Sequence, residues 1–323
     1  VGEAIFVDAV GGPETLRLGP YDPGEPGPND ALVRVAAAGV NFIDVYFRTG
    51  VYPRPLPFTN GLEGAGTVTA VGPGVTGLAP GDRVAWAGIP GSYATELIAP
   101  ADRLVKVPDA LDLDLAAAAM LQGMTAHYLV HGCRQTRKGD VALVHAAAGG
   151  AGGLLVQTLK RAGARVIGTC STPEKAEIAR AAGADEIIRY TEEDVALRVR
   201  DLLGGSGVDV VYDSVGRSTF EGSLNALRPR GLLVLFGQSS GAVPPFDLNR
   251  LNNLGSLFVT RPSLAHYTRD AAELELRANA VLTAIADGHL VIRIGGVYPL
   301  ARAADAHRAL ESRATTGKLL LKP

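Results

Sequence analysis

At 323 residues the chain exceeds the usual single-domain length, so two domains are expected, with roughly three quarters of the unfolded surface available for burial. Lys plus Arg number 31 against 33 for Asp plus Glu, and a net charge of −2 gives no broad attraction to nucleic acid or to an anionic membrane. Two cysteines, Cys133 and Cys170, exclude a disulfide framework and a Cys-rich structural zinc site by counting, and they suit a cytoplasmic chain. The opening VGEAIFVDAV lacks a basic and then apolar leader, and no run of about 18 uncharged apolar residues occurs, so a soluble protein is expected.

Forty glycines and twenty prolines in a chain that is 47% hydrophobic predict many short elements joined by tight turns. The first third, to about Leu115, offers strand-like segments at 31–36, 66–71, 83–87 and 95–99, punctuated by GPYDPGEPGPND, VGPGVTGLAPGDRV and AGIPGS. This reads as a partly closed antiparallel β-domain. LAAAAMLQGMTAHYLVHG then has helical apolar spacing, and a boundary is placed near Met120. Next come six apolar strands, 141–146, 165–169, 186–188, 208–212, 232–236 and 257–259, with helices over 152–162 and 173–182 among the crossovers. That alternation predicts an α/β fold with a doubly wound parallel sheet. The tail adds helices over 271–287 and 303–311 with a short strand between them, and a strand over 318–321, expected to return to the first domain. The expected domains are therefore 1–120, 121–264 and 265–323.

The segment DVALVHAAAGGAGGLLVQTLKRAGARVIGT runs a strand into a glycine-rich turn that opens an amphipathic helix. Such a turn lets backbone N–H groups approach a pyrophosphate, whose charge is favoured at a helix N-terminus. Its glycines, Gly149, Gly150, Gly152 and Gly153, depart from a strict GxGxxG; the turn's place at the head of six alternating strands is what points to a dinucleotide. A free ribose 2′-hydroxyl would call for an acid at the end of the second strand. GTCSTPEK has none there: Thr172 suits a helix cap with Pro173 at the first helical position, and Glu174 suits that helix N-terminus. Ser171 and Lys175 offer a hydroxyl and a cation for a 2′-phosphate. Lys175 taken alone equally reads as a solvated surface lysine.

GVNFIDVY and NGLEGAGTV resemble the segments that hold catalytic zinc in alcohol dehydrogenases, but Asn41 stands where a cysteine ligand would be and Leu62 where a histidine would be. Glu63 and Asp44 alone do not make a zinc site. The six histidines form no HExxH pair, and no GxSxG elbow or Cys–His pair supports nucleophilic catalysis. Asn41, Phe42, Tyr46 and Tyr52 form an aromatic and polar cluster whose phenols can hydrogen-bond a carbonyl or an incipient oxyanion. Ordinary packing of the β-domain accounts for these aromatics as well.

Taken together, GGPETL, GVNFIDVYFRTGVYP, GLEGAGTV, GDRVAW, LQGMTAHYL, HAAAGGAG, STPEKAEIARAAGAD, VVYDSVGRSTFEGSL, RGLLVLFGQSSG, GSLFVTRPSL and YPLARAADAHRALESRATTGKLLL resemble the zinc-free quinone oxidoreductases. These are the zeta-crystallin branch of the medium-chain dehydrogenase/reductase superfamily, and the resemblance spans the chain. It implies a GroES-like, mainly β catalytic domain, a Rossmann domain that binds NADPH, and a homodimer. Position by position it puts the cofactor turn on Gly149, Gly150, Ala151 and Gly152, and a 2′-phosphate pocket on Ser171, Lys175, Tyr190 and Arg313. The nicotinamide side falls on Asn41, Phe42, Tyr46, Thr125, Tyr128, Val215, Phe236, Gly237, Ser239, Ser240, Val259, Arg261 and Ser263, and Tyr52 falls beside the substrate cleft. Ala151 in place of the usual Val and the extra Gly153 are expected to loosen helix packing without removing phosphate contacts. Gln122 and His127 near the cleft bear on substrate preference.

A nicotinamide passes hydride directly to a quinone, and the resulting anion needs only a proton from solvent or a phenol. The expected activity is metal-free NADPH-dependent quinone reduction, with Asn41, Tyr46 and Tyr52 as catalytic residues. Hydride addition to an enal or enone would use the same parts. A third reading is an NADPH-binding, crystallin-like protein without turnover. A homodimer joined at the sheet edge around 231–259 is expected from GLLVLF and LNNLGSLFVT. No membrane or nucleic-acid partner is expected.

Overall fold

Buried and partly exposed residues alternate at the start of DALVRVAAAGV, Asp30–Val40, and then give way to burial on both faces, the pattern of a strand that enters the interior of a sheet. In the computed structural model, which describes residues 2–323, this strand is β3, after β1 (Gly2–Val7) and β2 (Leu16–Tyr21). It is followed by α1 (Phe42–Arg48), β4 (Phe58–Thr59), β5 (Glu63–Val71), β6 (Arg83–Ala87), β7 (Glu96–Pro100), β8 (Val105–Lys106) and α2 (Leu113–Tyr128). Strands β9 (Val141–Val144), β10 (Arg165–Cys170), β11 (Glu186–Arg189), β12 (Val208–Asp213), β13 (Leu227–Leu235) and β14 (Phe258–Thr260) come next. Between and after them lie α3 (Gly150–Arg161), α4 (Pro173–Ala181), α5 (Val195–Leu202), α6 (Phe220–Ala226), α7 (Asn249–Asn253) and α8 (Leu264–Tyr267). The tail holds α9 (Ala271–Ala286), β15 (Ile294–Pro299), α10 (Ala303–Glu311) and β16 (Lys318–Lys322).

The chain divides into two units: one runs to Met124 and resumes with Thr268–Pro323, and the other is Thr125–Tyr267. In the first, β15, β16, β3, β5, β6 and β8 lie side by side, with β7 also on β3, and β2, β1 and β4 form a separate small sheet. Val33, Val35, Val68, Val84 and Leu97 pack around Trp86, which is fully buried. Its indole N–H, costly to bury unpaired, donates to Ser92 Oγ at 2.8 Å. The tail strand β16 runs antiparallel to β3 with Leu319 opposite Val40, Leu320 opposite Gly39 and Leu321 opposite Ala38. Carried one residue further, this register sets Lys318 against Asn41, although 276 residues separate them.

The second unit is a six-stranded parallel sheet ordered β11-β10-β9-β12-β13-β14. This is the doubly wound order whose direction reverses between β9 and β12, and ligands of such sheets bind outside the strand carboxyl ends at the reversal. Its core includes Leu143, Ile167, Ile188, Val211 and Leu233 from the strands and Leu224 and Val199 from helices. Among the described residues no helix is long and apolar enough to cross a membrane.

The fold differs from the sequence reading at NFIDVYFR. This segment, read with the β-domain, begins the helix α1, because Asn41 holds an extended cap conformation (φ −135°, ψ 156°) and Asp44 Oδ2 accepts from the Asn41 backbone N–H at 2.8 Å.

Candidate functional site

In the second unit, β9 ends at Val144 and the chain turns sharply at Ala146, which is left-handed (φ 52°). Gly149 caps α3, and a Cβ on Gly152 would lie 2.2 Å from the Ala146 carbonyl oxygen, so only glycine fits there. The turn thus brings Gly149, Gly150, Ala151 and Gly152 together at the N-terminus of a 12-residue helix, where backbone donors and the helix dipole favour an anion. At the end of β10, Thr172 caps α4 by accepting from the Lys175 backbone N–H at 3.3 Å, with Pro173 in the first turn. Ser171 and Lys175 are half-buried and Tyr190, just past β11, is exposed; all three belong to this unit. Arg313 belongs to the first unit, exposed and left-handed (φ 58°) two residues after α10.

The loops after β12 and β13 are stitched to each other. Ser240 N–H and Oγ both donate to the Val215 carbonyl, at 2.8 and 2.7 Å, and Phe236 N–H donates to the Asp213 carbonyl at 2.8 Å. Gly237 approaches so closely that a Cβ would lie 2.4 Å from the Ser214 carbonyl oxygen. Ser239 N–H reaches the same carbonyl at 3.3 Å, which gathers Val215, Phe236, Gly237, Ser239 and Ser240. Val259 sits in β14 beside Leu233, with Arg261 and Ser263 exposed just beyond. Thr125 and Tyr128 lie on the last turn of α2, both buried, with the Tyr128 ring stacked on Tyr267 at 4.5 Å. His127 pairs with His131 at 4.8 Å across the wider helical turn that follows.

A buried polar chain ties these loops from below. Asp213 Oδ1 accepts from the Val215 and Gly216 N–H groups at 2.8 and 3.0 Å, and Oδ2 accepts from Ser223 Oγ at 2.8 Å. Ser223 Oγ is 3.0 Å from His145 Nε2, and His145 Nδ1 is 3.1 Å from Thr169 Oγ1. Because Ser223 donates to Asp213, it accepts from Nε2–H, and Nδ1 accepts from Thr169. Burial holds the imidazole below its usual pKa, which keeps this neutral tautomer. Sequence reading gave His145 and Asp213 no role; the local signals are a histidine just past β9 and an aspartate at the end of β12.

In the first unit, α1 carries Phe42 and Tyr46, whose rings lie 6.4 Å apart. Tyr52 packs edge-on against Tyr46 at 5.2 Å and against Phe47 at 5.9 Å. Asn41 is buried at the start of that helix and reaches Lys318 and Glu63. Its Oδ1 accepts from Lys318 Nζ at 2.6 Å and from Gln122 Nε2 at 3.3 Å, while Nδ2 donates to Glu63 Oε2 at 2.8 Å and to the Gly39 carbonyl at 3.3 Å. Lys318 also pairs with Glu63 Oε2, and Glu63 Oε1 accepts from the Leu121 N–H at 2.6 Å. The catalytic role expected for Asn41 meets a geometry in which both of its N–H groups already have partners. Lys318 was missed because its partners are far away in sequence.

On the far side of α1, Tyr93 Oη donates to Asp44 Oδ2 at 2.9 Å and lies 3.1 Å from His307 Nε2. His307 Nδ1 accepts from Arg48 Nη1 at 3.1 Å, and Arg48 is held by Glu311 at 2.8 Å. Burial raises Asp44 to about 7, and burial and then Arg48 lower His307 to about 3. A separate depression of about 710 Å³ on this unit, lined by Asn29, Thr76, Asp102, Lys106 and Glu275 among others, contains none of the residues assigned to chemistry. No cluster of three or more His, Cys, Asp or Glu able to hold a metal is found among the described residues.

Comparison with known proteins gives two family matches, an alcohol dehydrogenase GroES-like domain over residues 27–109 and a zinc-binding dehydrogenase over 182–321. The chain is 47% identical over 325 residues to a quinone oxidoreductase of Pseudomonas aeruginosa, covering 100% of both. It is 43% identical over 329 residues to a 2-haloacrylate reductase of a Burkholderia species, covering 99% of this chain and 98% of that one. The crystal structure of Escherichia coli quinone oxidoreductase complexed with NADPH matches with a TM-score of 0.98 at 44% identity, over 99% of this chain and 100% of that chain.

Proposed function

The chain belongs to the quinone oxidoreductase family of the medium-chain dehydrogenases and reductases, and on that premise we propose that it is an NADPH-dependent quinone reductase that works without a metal. The observation that carries this reading is the turn after β9, which admits no Cβ at Gly152 and opens α3 at the reversal of the parallel sheet. Such a cradle fits a pyrophosphate. NADPH, when bound, supplies the hydride. The chain's own residues bind and orient it. Gly149, Gly150, Ala151 and Gly152 hold the pyrophosphate, and Ser171, Lys175, Tyr190 and Arg313 hold the 2′-phosphate. Val215, Phe236, Gly237, Ser239, Ser240, Val259, Arg261, Ser263, Thr125 and Tyr128 line the nicotinamide side, with Phe42. The Tyr46 and Tyr52 phenols hydrogen-bond the oxyanion that develops on the substrate and pass it a proton.

Hydride addition to an activated double bond is the second reading, favoured by the likeness to the 2-haloacrylate reductase. A second copy of the chain as partner and a cytoplasmic setting complete the proposal. The test is NADPH oxidation by purified protein with a panel of quinones, enals and enones, before and after exhaustive chelation. Turnover with quinones that survives chelation is expected. Tightly bound stoichiometric zinc whose removal abolishes activity would overturn the metal-free reading, and turnover confined to enones would favour the second.

The pocket assignment is tested by dissociation constants of NADPH and NADH for wild type, Lys175→Ala and Arg313→Ala at fixed salt. A charge-assisted hydrogen bond is worth roughly 1.5–3 kcal/mol, so each variant should lose about one to two orders of magnitude in NADPH affinity, with NADH little changed. Equal weakening of both cofactors would reject the pocket.

A further inference from the structure

An amide side chain has two N–H donors and a carbonyl that accepts two hydrogen bonds. Asn41 uses all of them within its own unit: Glu63 and the Gly39 carbonyl take the N–H groups, and Lys318 and Gln122 occupy the carbonyl. Its orientation is dictated by charge. An ammonium has only donors and a carboxylate only acceptors, so an amide between Lys318 and Glu63 can face just one way; the flipped amide would set NH2 against the ammonium and C=O against the carboxylate. Lys318 and Glu63 are 1% and 0% exposed at their side chains, so solvent does not relieve the wrong orientation.

Gln122 inherits that orientation. Facing a fixed acceptor, it must donate through Nε2, which leaves its own Oε1 and one N–H for something else. Oε1 is enclosed and accepts from nothing among the described residues. A buried carbonyl oxygen without a donor is costly in an isolated protein and is relieved when a ligand brings one.

We propose that Gln122, and not Asn41, is the amide that hydrogen-bonds the ligand at this site, and that Lys318 is a positioning residue which, through Asn41, sets which way round Gln122 presents its carbonyl. The group it takes is an N–H or O–H donor, from the carboxamide or hydroxyls of the cofactor or from the hydroxyl of a reduced quinone. This deepens the reductase reading and rests on it.

The experiment follows the side-chain amide resonances of Asn41 and Gln122 by NMR in deuterated, 15N-labelled full-length protein, assigned by their loss in Asn41→Asp and Gln122→Glu. One arm adds NADPH alone and the other adds oxidised cofactor with a hydroquinone. The Gln122 pair should shift in whichever arm supplies the donor, while the Asn41 pair exchanges slowly with solvent and stays put in both. Shifts at Asn41 with Gln122 unmoved, or no Gln122 shift in either arm, overturn the proposal.

Kinetics supply a second readout. Gln122→Met should lower quinone kcat/KM, or raise the NADPH dissociation constant, by tenfold or more. Gln122→Glu should add a pH dependence, with activity falling as the new carboxyl ionises against the Asn41 carbonyl oxygen. Lys318→Met strands Glu63 and can fail to fold, so Glu63→Gln/Lys318→Met, which removes both charges, is made alongside it. If the folded double variant keeps wild-type kinetics and the wild-type Gln122 shift, Lys318 has no positioning role. A wild type that turns over no quinone or enone defeats the reductase reading, while the NMR arms still decide the Gln122 assignment.

Discussion

Two adjacent glycines in the turn after β9 have opposite requirements. A Cβ on Gly152 would meet Ala146 O at 2.2 Å and its carbonyl carbon at 2.9 Å, both backbone atoms that cannot move without shifting the strand. A Cβ on Gly153 would meet only the Ala147 carbonyl oxygen, at 3.7 Å. Gly153 therefore costs helix entropy with no steric need for it. Gly153→Ala should stabilise the protein by about 0.5–1 kcal/mol with unchanged NADPH affinity. Gly152→Ala should push α3 off β9, destabilise the fold and weaken NADPH binding by more than about tenfold. Thermal unfolding and cofactor titration of both variants check the pair, and equal behaviour would contradict it. The two glycines were legible as a motif, and the resemblance set Gly153 outside the cofactor turn, but the steric reason for Gly152 was not legible, because it depends on the left-handed Ala146. Asn41 was likewise legible as a candidate while its amide orientation was not, since the cation that sets it lies on β16.

At the scale of elements, strand 83–87 is observed where its apolar run predicts, and 141–146 ends at Val144 because the chain turns left-handed two residues later. The strands β1, β2 and β4 were not read: β2 contains Gly19 and Pro20, which disfavour strands, and β4 has two residues. Helix α1 went unread because its seven residues are too few for a clear period. What anchors it to α10 is the buried chain Asp44, Tyr93, His307 and Arg48, whose members come from three separate segments. This chain has a testable thermodynamic signature. Between pH 3.8 and 6.5 the folded protein keeps Asp44 protonated and His307 neutral, whereas the unfolded chain has Asp44 ionised and His307 protonated. Folding relocates one proton without changing the number bound, so the pair contributes no slope to stability in that window. In His307→Gln only Asp44 remains, the folded state binds the extra proton, and stability should fall as pH rises from 3.8 to about 7, by about 1.4 kcal/mol per pH unit. In Asp44→Asn only His307 remains, the unfolded state binds the extra proton, and stability should rise with pH from about 3 to 6.5. The neighbouring pairs Glu63–Lys318 and Arg48–Glu311 are common to all three proteins and drop out of the differences. Urea unfolding across this range, with parallel slopes in both variants, would refute the account.

At the scale of the whole molecule, the parallel sheet has two edges of unlike character. Along β11, Glu186 pairs with Arg165 and Arg189 with Glu192, charges that discourage another strand from docking. Along β14, which among the described residues pairs only with β13, Phe258 is 61% and Val259 39% exposed, and Leu248 ahead of it is 73% exposed. An unprotected apolar edge on one side and a charged one on the other is the asymmetry expected if two copies pair through β14 about a two-fold axis, since that symmetry closes the assembly after one contact. The apolar segments around 231–259 were legible as a candidate interface; the charged opposite edge, which argues that pairing stops at two, depends on strand order and was not. Light scattering at micromolar concentration should therefore report twice the 33.5 kDa chain mass. Phe258→Lys should shift the protein towards monomer, because a cation at the centre of a self-complementary contact meets its own symmetry mate. Ile187→Lys on β11 should leave the dimer intact. A monomeric wild type, or dissociation caused by the β11 substitution and not by the β14 one, would place the contact elsewhere.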